Sequence, residues 1–347
     1  MAGWVRPIFS KRRVRKAGQR IRAGTATEED WDVLDNWRRA HAYVLNTFQM
    51  RLRSTRKRFR GEVQIAQRHK RLPTIVDKLT REPRMQLDRM HDIAGCRAIL
   101  PNIESLMHFR NIFLNTRSKH RHINANDNRY NYIEEPKDSG YRGIHDVFET
   151  VLESQSGSAW NGLRVEVQFR TRVQHAWATA VETVDLLNGE RAKFGQASPE
   201  LQRFFAVASE LMARAHEERT GPLATLSNDT LVSEFRRLDR KLGIMERLTS
   251  AVYQNPPIKR GKNVILVFYL HGEQKLEVHS YDSIGPAQKA YTKYEKELGG
   301  KADIVLVKAE RTEDLKRAFQ NYFTDARDFV DLVKNAAERL TDRGRPP

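Results

Sequence analysis

The chain has 347 residues and a formal net charge of +17, from 61 Lys+Arg against 44 Asp+Glu, so it is long enough for an enzymatic core plus a smaller unit and calls for a polyanionic partner. Its single cysteine, Cys96, excludes an intramolecular disulfide framework and a cysteine-rich zinc site, which suits a reducing, cytoplasmic setting. No apolar run approaches the roughly 20 residues of a membrane span, and the start MAGWVRPIFSKRRVRK has no apolar signal core, so no membrane partner is expected.

The excess charge is N-terminal. Residues 1–84 hold 22 Lys+Arg against 8 Asp+Glu, residues 85–258 hold 22 against 22, and residues 259–347 hold 17 against 14. Residues 1–24 form a basic arm with little apolar periodicity, expected to stay disordered until bound. From Thr27 a helix is signalled by the capping start TEED and by Trp31, Leu34, Trp37, Val44, Leu45, Phe48 and Leu52 at helical spacing. It ends in the cationic stretch RLRSTRKRFRG.

EVQIAQRHKRLPTIVDKLTREP reads as a short strand, a turn at Leu72-Pro73 and a helix with proline in its first turn. Arg68 and Lys70 share a strand face, while Thr74 and Lys78 share a helix face, so three cations and a hydroxyl can converge on that corner. HDIAGCRAILP places Asp92 ahead of an apolar strand, with Gly95 giving backbone clearance beside the fixed charge of Arg97. A helix follows over roughly 103–116, then a polar loop in which His120 and His122 lack further ligands at a metal-site spacing.

NYIEEPKDSGYRGIHDVFETV is turn-rich and carries Lys137, Tyr141, Arg142 and His145, a set suited to stacking on a base and holding phosphates. In RVEVQFRTRVQHAW, Val165, Val167 and Phe169 alternate with Arg164, Glu166, Gln168 and Arg170, so a strand puts every polar group on one face. A helix with His175 near its start follows, stopping at Gly189, and two more open at Ser198-Pro199 and near Asn228. Residues 251–263 read as a linker. Beyond it, 264–347 reads as a small ββαβα unit whose last helix runs from Thr312 to about Leu340.

The ordered series RHKRLPTIVDK, HDIAGCRAI, NYIEEPKDSGYRGIH and VEVQFRTRVQHAW resembles the synthetase domain of the RelA/SpoT alarmone synthetases, in a small form without a hydrolase domain. The resemblance spans roughly residues 25–220 of a 25–250 domain. It implies an α/β (α+β), nucleotidyltransferase-like mixed β-sheet flanked by helices, and Mg²⁺-dependent transfer of pyrophosphate from ATP to a ribose hydroxyl. By that resemblance Arg68, Lys70, Thr74 and Lys78 hold the ATP phosphates, Arg97 stacks on adenine, Asp92 binds the metal, and Glu166 either binds the metal or activates the acceptor hydroxyl. Lys137, Tyr141 and His145 meet the acceptor, with Gln168, Arg170 and His175 around Glu166. Thr74 stands where the family usually has serine, and Asn131 where it commonly has aspartate.

The leading expectation is a pyrophosphokinase making the stringent-response alarmone (p)ppGpp from ATP and GDP or GTP. The basic first quarter supports a rival, a toxin that modifies the 3′ end of tRNA and is restrained by its C-terminal domain as in toxin–antitoxin pairs. A lesser alternative is a non-catalytic RNA- or ribosome-binding protein. Small relatives often assemble, so a homo-oligomer is also expected.

Overall fold

A computed structural model of the chain describes residues 4–116, 118–155, 157–188, 198–250, 256, 258, 263–270, 275–298, 301–308, 315, 316, 319 and 326–342. The basic arm is not a disordered tail: Lys11–Ala23 forms helix α1, whose Ser10 hydroxyl accepts from the Arg13 N–H. Val14, Ala17 and Ile21, at i, i+3 and i+7, are buried on one stripe. Gly18 on that stripe brings the helix against Leu87, where a Cβ would stand 2.7 Å from the leucine Cβ. Much of the arm's charge is consumed internally. Arg13 and Arg20 bond to Asp30, Arg15 to Asp88, and Arg22 donates to the Leu79 carbonyl.

Helix α2 (Glu28–Arg58) starts at the expected cap, with the Thr27 N–H donating to Asp30 at 3.0 Å. Trp31, expected on the buried face, is exposed, and Asp30 is buried in its place. The two α1 arginines neutralise that carboxylate, a long-range partnership that helical spacing does not reveal.

Eight strands form one mixed sheet in the order β3-β4-β5-β2-β1-β8-β6-β7. They are β1 (Gln64–His69), β2 (Ala94–Leu100), β3 (Arg121–His122), β4 (Ile144–Glu149), β5 (Arg164–Thr171), β6 (Asn263–Tyr269), β7 (Leu276–Tyr281) and β8 (Ala302–Lys308). Among the described residues only the central β2–β5 pair is parallel. Helices α3 (Leu72–Arg81) and α4 (Ile103–Leu114) follow β1 and β2. After β5 come α5 (Arg172–Asn188), α6 (Pro199–Glu217), α7 (Asn228–Leu242) and α8 (Ile244–Ser250), then α9 (Ile284–Glu297) between β7 and β8, and α10 (Arg327–Asp342) at the end. The stop expected at Gly189 lies outside the described residues. The last described helix begins at Arg327, and the start expected at Thr312 lies outside the described residues, as do most positions between β8 and α10.

The β, β, α, β, α order beyond residue 263 is as read from the sequence, but packing does not divide at 251–263. β8 pairs antiparallel with β1, which would otherwise be an open edge, so the C-terminal strands extend the first sheet. The last helix crosses back: Phe329, Val333 and Ala336 of α10 are buried in one core with Phe205 and Leu211 of α6 and Leu231 of α7.

Candidate active site

The parallel register between β2 and β5 decides where the polar groups meet. Gly95 lies opposite Glu166, and Arg97 opposite Gln168. On the far side of β2, Arg68 lies opposite Gly95; on the far side of β5, His145 lies opposite Gln168. Paired residues project from the same sheet face, so one row reads Glu166, Gly95, Arg68 and the next His145, Gln168, Arg97. The expected alternation of β5 holds, with Val165, Val167 and Phe169 buried on the other face.

A cleft on this face is lined by Arg68, Asp92, Gly95, Arg97, Glu166 and Gln168, and by Phe319 from the C-terminal segment. Asp92 reaches it from the residue pair that precedes β2. Lys70, directly after β1, donates to Asp92 Oδ2 at 2.6 Å, and Lys78, on α3, to Oδ1 at 3.2 Å. The cationic corner read from spacing is therefore assembled around a carboxylate. Burial pushes the Asp92 carboxyl up, but the two ammonium groups outweigh it and hold it well below the usual carboxylate range. Thr74 sits in the first turn of α3. Arg97 is buried in the cleft wall, and burial brings its guanidinium down to about 9.

Glu166 sits between two partners. Gln168 Nε2 donates to Oε1 at 2.6 Å, and His145 Nδ1 lies 3.3 Å from Oε2. The other ring nitrogen of His145 meets the Tyr141 hydroxyl, which also accepts from Arg170 Nη2 at 2.9 Å. Burial favours neutral forms throughout this chain of groups, yet the charges prevail. Glu166 is held down by the His145 charge, His145 is pushed up to about 9 by Glu166 and Tyr141, and Tyr141 is brought down to about 8 by Arg170 and His145. The balance in this set favours a carboxylate at Glu166 and an imidazolium at His145.

Lys137 lies 4.4 Å from the centroid of the Tyr132 ring and 5.5 Å from that of Tyr141. Tyr132 in turn packs edge-on against His145 and Tyr141, and its part in this corner was missed by sequence reasoning. The signal was its place beside the Pro136–Gly143 turn: the Tyr132 N–H donates to the Gly143 carbonyl, closing the loop. Arg142 is buried and ion-paired with Glu217 on α6, so it anchors the loop rather than facing a ligand. Asn131 serves the same loop, its Oδ1 accepting from the Ile133 N–H at 3.3 Å. His175 is buried in the first turn of α5 and is not among the described residues that line the cleft.

A family model described as the region found in RelA / SpoT proteins matches residues 67–184, which contain every site residue expected from the sequence but not Glu217 or Phe319. The GTP pyrophosphokinase YjbM of Bacillus subtilis (strain 168) is 30% identical over 158 residues, covering 44% of this chain and 67% of that protein. The chain belongs to the RelA/SpoT family. An uncharacterized protein of Mycobacterium tuberculosis is 25% identical over 229 residues, 66% of this chain and 76% of that one. Among solved structures, the small alarmone synthetase 1 from Bacillus subtilis bound to its product pppGpp is 25% identical, with a TM-score of 0.43 over 51% of this chain and 90% of that chain. In this RelA/SpoT chain the four sequence blocks thus supply, in order, the Lys70 corner, Asp92 with Arg97, the Tyr141 loop and the Glu166 strand.

Proposed function

We propose that this chain is a pyrophosphokinase that transfers the β,γ-diphosphate of ATP to the ribose 3′-hydroxyl of GDP or GTP, giving a (p)ppGpp-type alarmone and AMP. The observation that carries the reading is that Asp92, just ahead of β2, and Glu166, on the parallel neighbour β5, line one cleft, with Lys70 and Lys78 bound to the first carboxylate and the Tyr141 loop joined to the second through His145. In the reaction the acceptor oxygen bonds to the β-phosphorus as the bond from that phosphorus to the α,β-bridging oxygen breaks. The hydroxyl proton passes to Glu166 and from it to water, and the bridging oxygen departs with AMP. Such a transfer asks a protein for alignment and charge compensation more than for covalent chemistry.

Arg68, Lys70 and Lys78 fit the triphosphate, and Lys70 and Lys78 are held ready on Asp92 until phosphate oxygens compete for them. The half-buried Tyr141, with Lys137 beside its ring, fits a guanine base and its phosphates. Against the effect of burial, Glu166 and Tyr141 push the His145 imidazole up to about 9, which suits it to donate to phosphate better than to accept a proton. Glu166 is ionised but held low, which makes it a weak base and a good partner for a cation or a donating hydroxyl.

The donor set also fits magnesium. Two ionised carboxylates in one cleft match the habit of Mg²⁺ to take one or two carboxylates and complete its shell with substrate phosphates and water. Asp92 and Glu166 would hold it, and when bound it would neutralise charge on the transferring phosphates.

One observation favours the tRNA acceptor. The last turn of α2 presents Arg56, Lys57 and Arg58 on the surface, with Arg60 just beyond it, in addition to the cations that α1 spends on internal pairs. Incubation with γ-labelled ATP and either GDP/GTP or deacylated tRNA separates the readings. Label in the guanine nucleotide is expected; label in tRNA alone transfers the assignment to the second acceptor, and label in neither removes the transferase reading.

A further inference from the structure

The turn that carries Lys70 is held by residues from the far end of the chain. On α9, Glu295 receives Arg38 of α2 in a bidentate pair, Nη1 to Oε2 at 2.5 Å and Nη2 to Oε1 at 3.0 Å. Both side chains are buried, and the Arg38 guanidinium lies 4.6 Å from the centroid of the Tyr291 ring, one turn earlier on α9. Arg38 then uses its remaining Nε to donate to the Lys70 carbonyl at 2.8 Å. The same Glu295 carboxylate accepts the Leu72 N–H at 3.1 Å. Arg71, between them, is ion-paired with Asp303 of β8.

Of three consecutive residues, Arg71 and Leu72 are therefore tied directly to the C-terminal unit, and Lys70 is tied to it through Arg38 of α2. Leu72 is the first residue of α3, and that helix lacks a side-chain cap of its own because Arg71 stands at the capping position. A helix start needs acceptors for its first N–H groups, and a carboxylate there also meets the positive end of the helix dipole. Glu295 supplies both from a different element. Arg68, Lys70, Arg71 and Lys78 concentrate positive charge around the turn, and Glu295 and Asp303 add two carboxylates there besides Asp92.

We propose that Glu295 is a positioning residue for the ATP-phosphate corner: through Arg38 and the Leu72 N–H it fixes the β1–α3 turn, so the C-terminal unit completes the donor site and does not merely restrain it. An interface with only a packing role has no reason to place its buried ion pair and its second acceptor bond on the turn that bears Lys70. The inference rests on the donor reading above, in which Lys70 and Lys78 hold ATP phosphates, and it is indifferent to the acceptor.

The test is binding of α,β-methylene-ATP with Mg²⁺ to the full chain and three variants, each measured well below its melting temperature. Glu295→Ala is expected to weaken the analogue by about tenfold, since it removes hydrogen bonds to a charged group. Glu295→Gln keeps an oxygen for the Leu72 N–H and is expected to recover about half of that loss on a logarithmic scale. Lys308→Met cuts a neighbouring contact of the same unit, the 2.8 Å bond to Asn46, without touching the turn, and is expected to stay within about twofold. If the unaltered chain binds the analogue and Glu295→Ala binds it equally well, or no worse than Lys308→Met, the positioning role is overturned while the donor reading stands. If the unaltered chain does not bind the analogue, both fall.

Discussion

Gly95 on β2 lies directly opposite Glu166 on β5, and with Arg68 on its other side it leaves a gap between an anion and a cation on the sheet face. The protein itself has room for a side chain there: a Cβ would meet only Arg68 atoms, at 3.7 and 3.8 Å, which is ordinary contact. The glycine therefore serves the cleft rather than the fold. Gly95→Ala is expected to leave the melting temperature unchanged or slightly raised, by reducing unfolded-chain entropy worth about 0.4–1 kcal/mol. Binding of an ATP analogue should fall by about tenfold as the methyl enters the cleft. Equal affinity with equal stability shows that ligand does not approach this backbone.

The two carboxylates are expected to differ in what their loss does to the protein. Glu166→Gln keeps the shape and the Gln168 contact while removing the charge beside His145, so turnover should drop by about a hundredfold or more with little change in folding. Asp92→Asn leaves Lys70 and Lys78 facing each other without a counter-charge, so it should lose both turnover and about 1–3 kcal/mol of stability. Steady-state rates across a magnesium titration, paired with urea unfolding, check both. Full activity in either variant removes that carboxylate from the chemistry.

These groups were legible because each sits in a short, local pattern. Alternation on β5 placed Glu166, Gln168 and Arg170 on one face, and the Leu72-Pro73 turn placed Lys70 and Lys78 at one corner. What local pattern could not show was partnership across the chain. Trp31 and Asp30 are adjacent, and hydropathy alone buries the tryptophan; the outcome reverses because Arg13 and Arg20 arrive from α1. The α1 stripe of Val14, Ala17, Gly18 and Ile21 was present in the sequence but hidden among seven cations between Lys11 and Arg22. The pairing of β8 with β1 joins residues more than two hundred positions apart, so a proline- and glycine-containing stretch read as a domain boundary where the sheet continues.

Asp30 makes the docking of α1 testable through pH. Burial pushes its carboxyl up, but the Thr27 N–H and the two arginines bring it down to about 2, below its usual value. A folded-state pKa below the unfolded one contributes stability that is complete above the unfolded value near 3.8 and is lost as pH falls toward 2. Asp30→Asn is expected to cost about 1–2 kcal/mol at pH 7, discounted because Arg13 and Arg20 are partly solvated. The difference from the unaltered chain should shrink below about pH 4. Urea midpoints at pH 7, 5 and 3 measure it, and a pH-independent difference removes ionic capping as the cause.

Deleting residues 259–347 distinguishes a C-terminal unit that completes the enzyme from one that restrains it. The deletion strips β8 from β1 and opens the core in which Phe329 packs against Phe205, with ring centroids 6.1 Å apart. It also removes Glu295 and Asp303 from the Lys70 turn. The fragment is expected to aggregate or unfold and to lose turnover, because exposing one buried phenylalanine site alone costs about 3–5 kcal/mol. Phe329→Ala in the full chain provides a milder version: its stability should fall by that amount, while kcat and the KM for ATP stay near those of the unaltered chain at a temperature where it remains folded. A soluble fragment with raised turnover reverses the argument, since a release of activity on removing the strand and the ion pairs is the behaviour of an inhibitor.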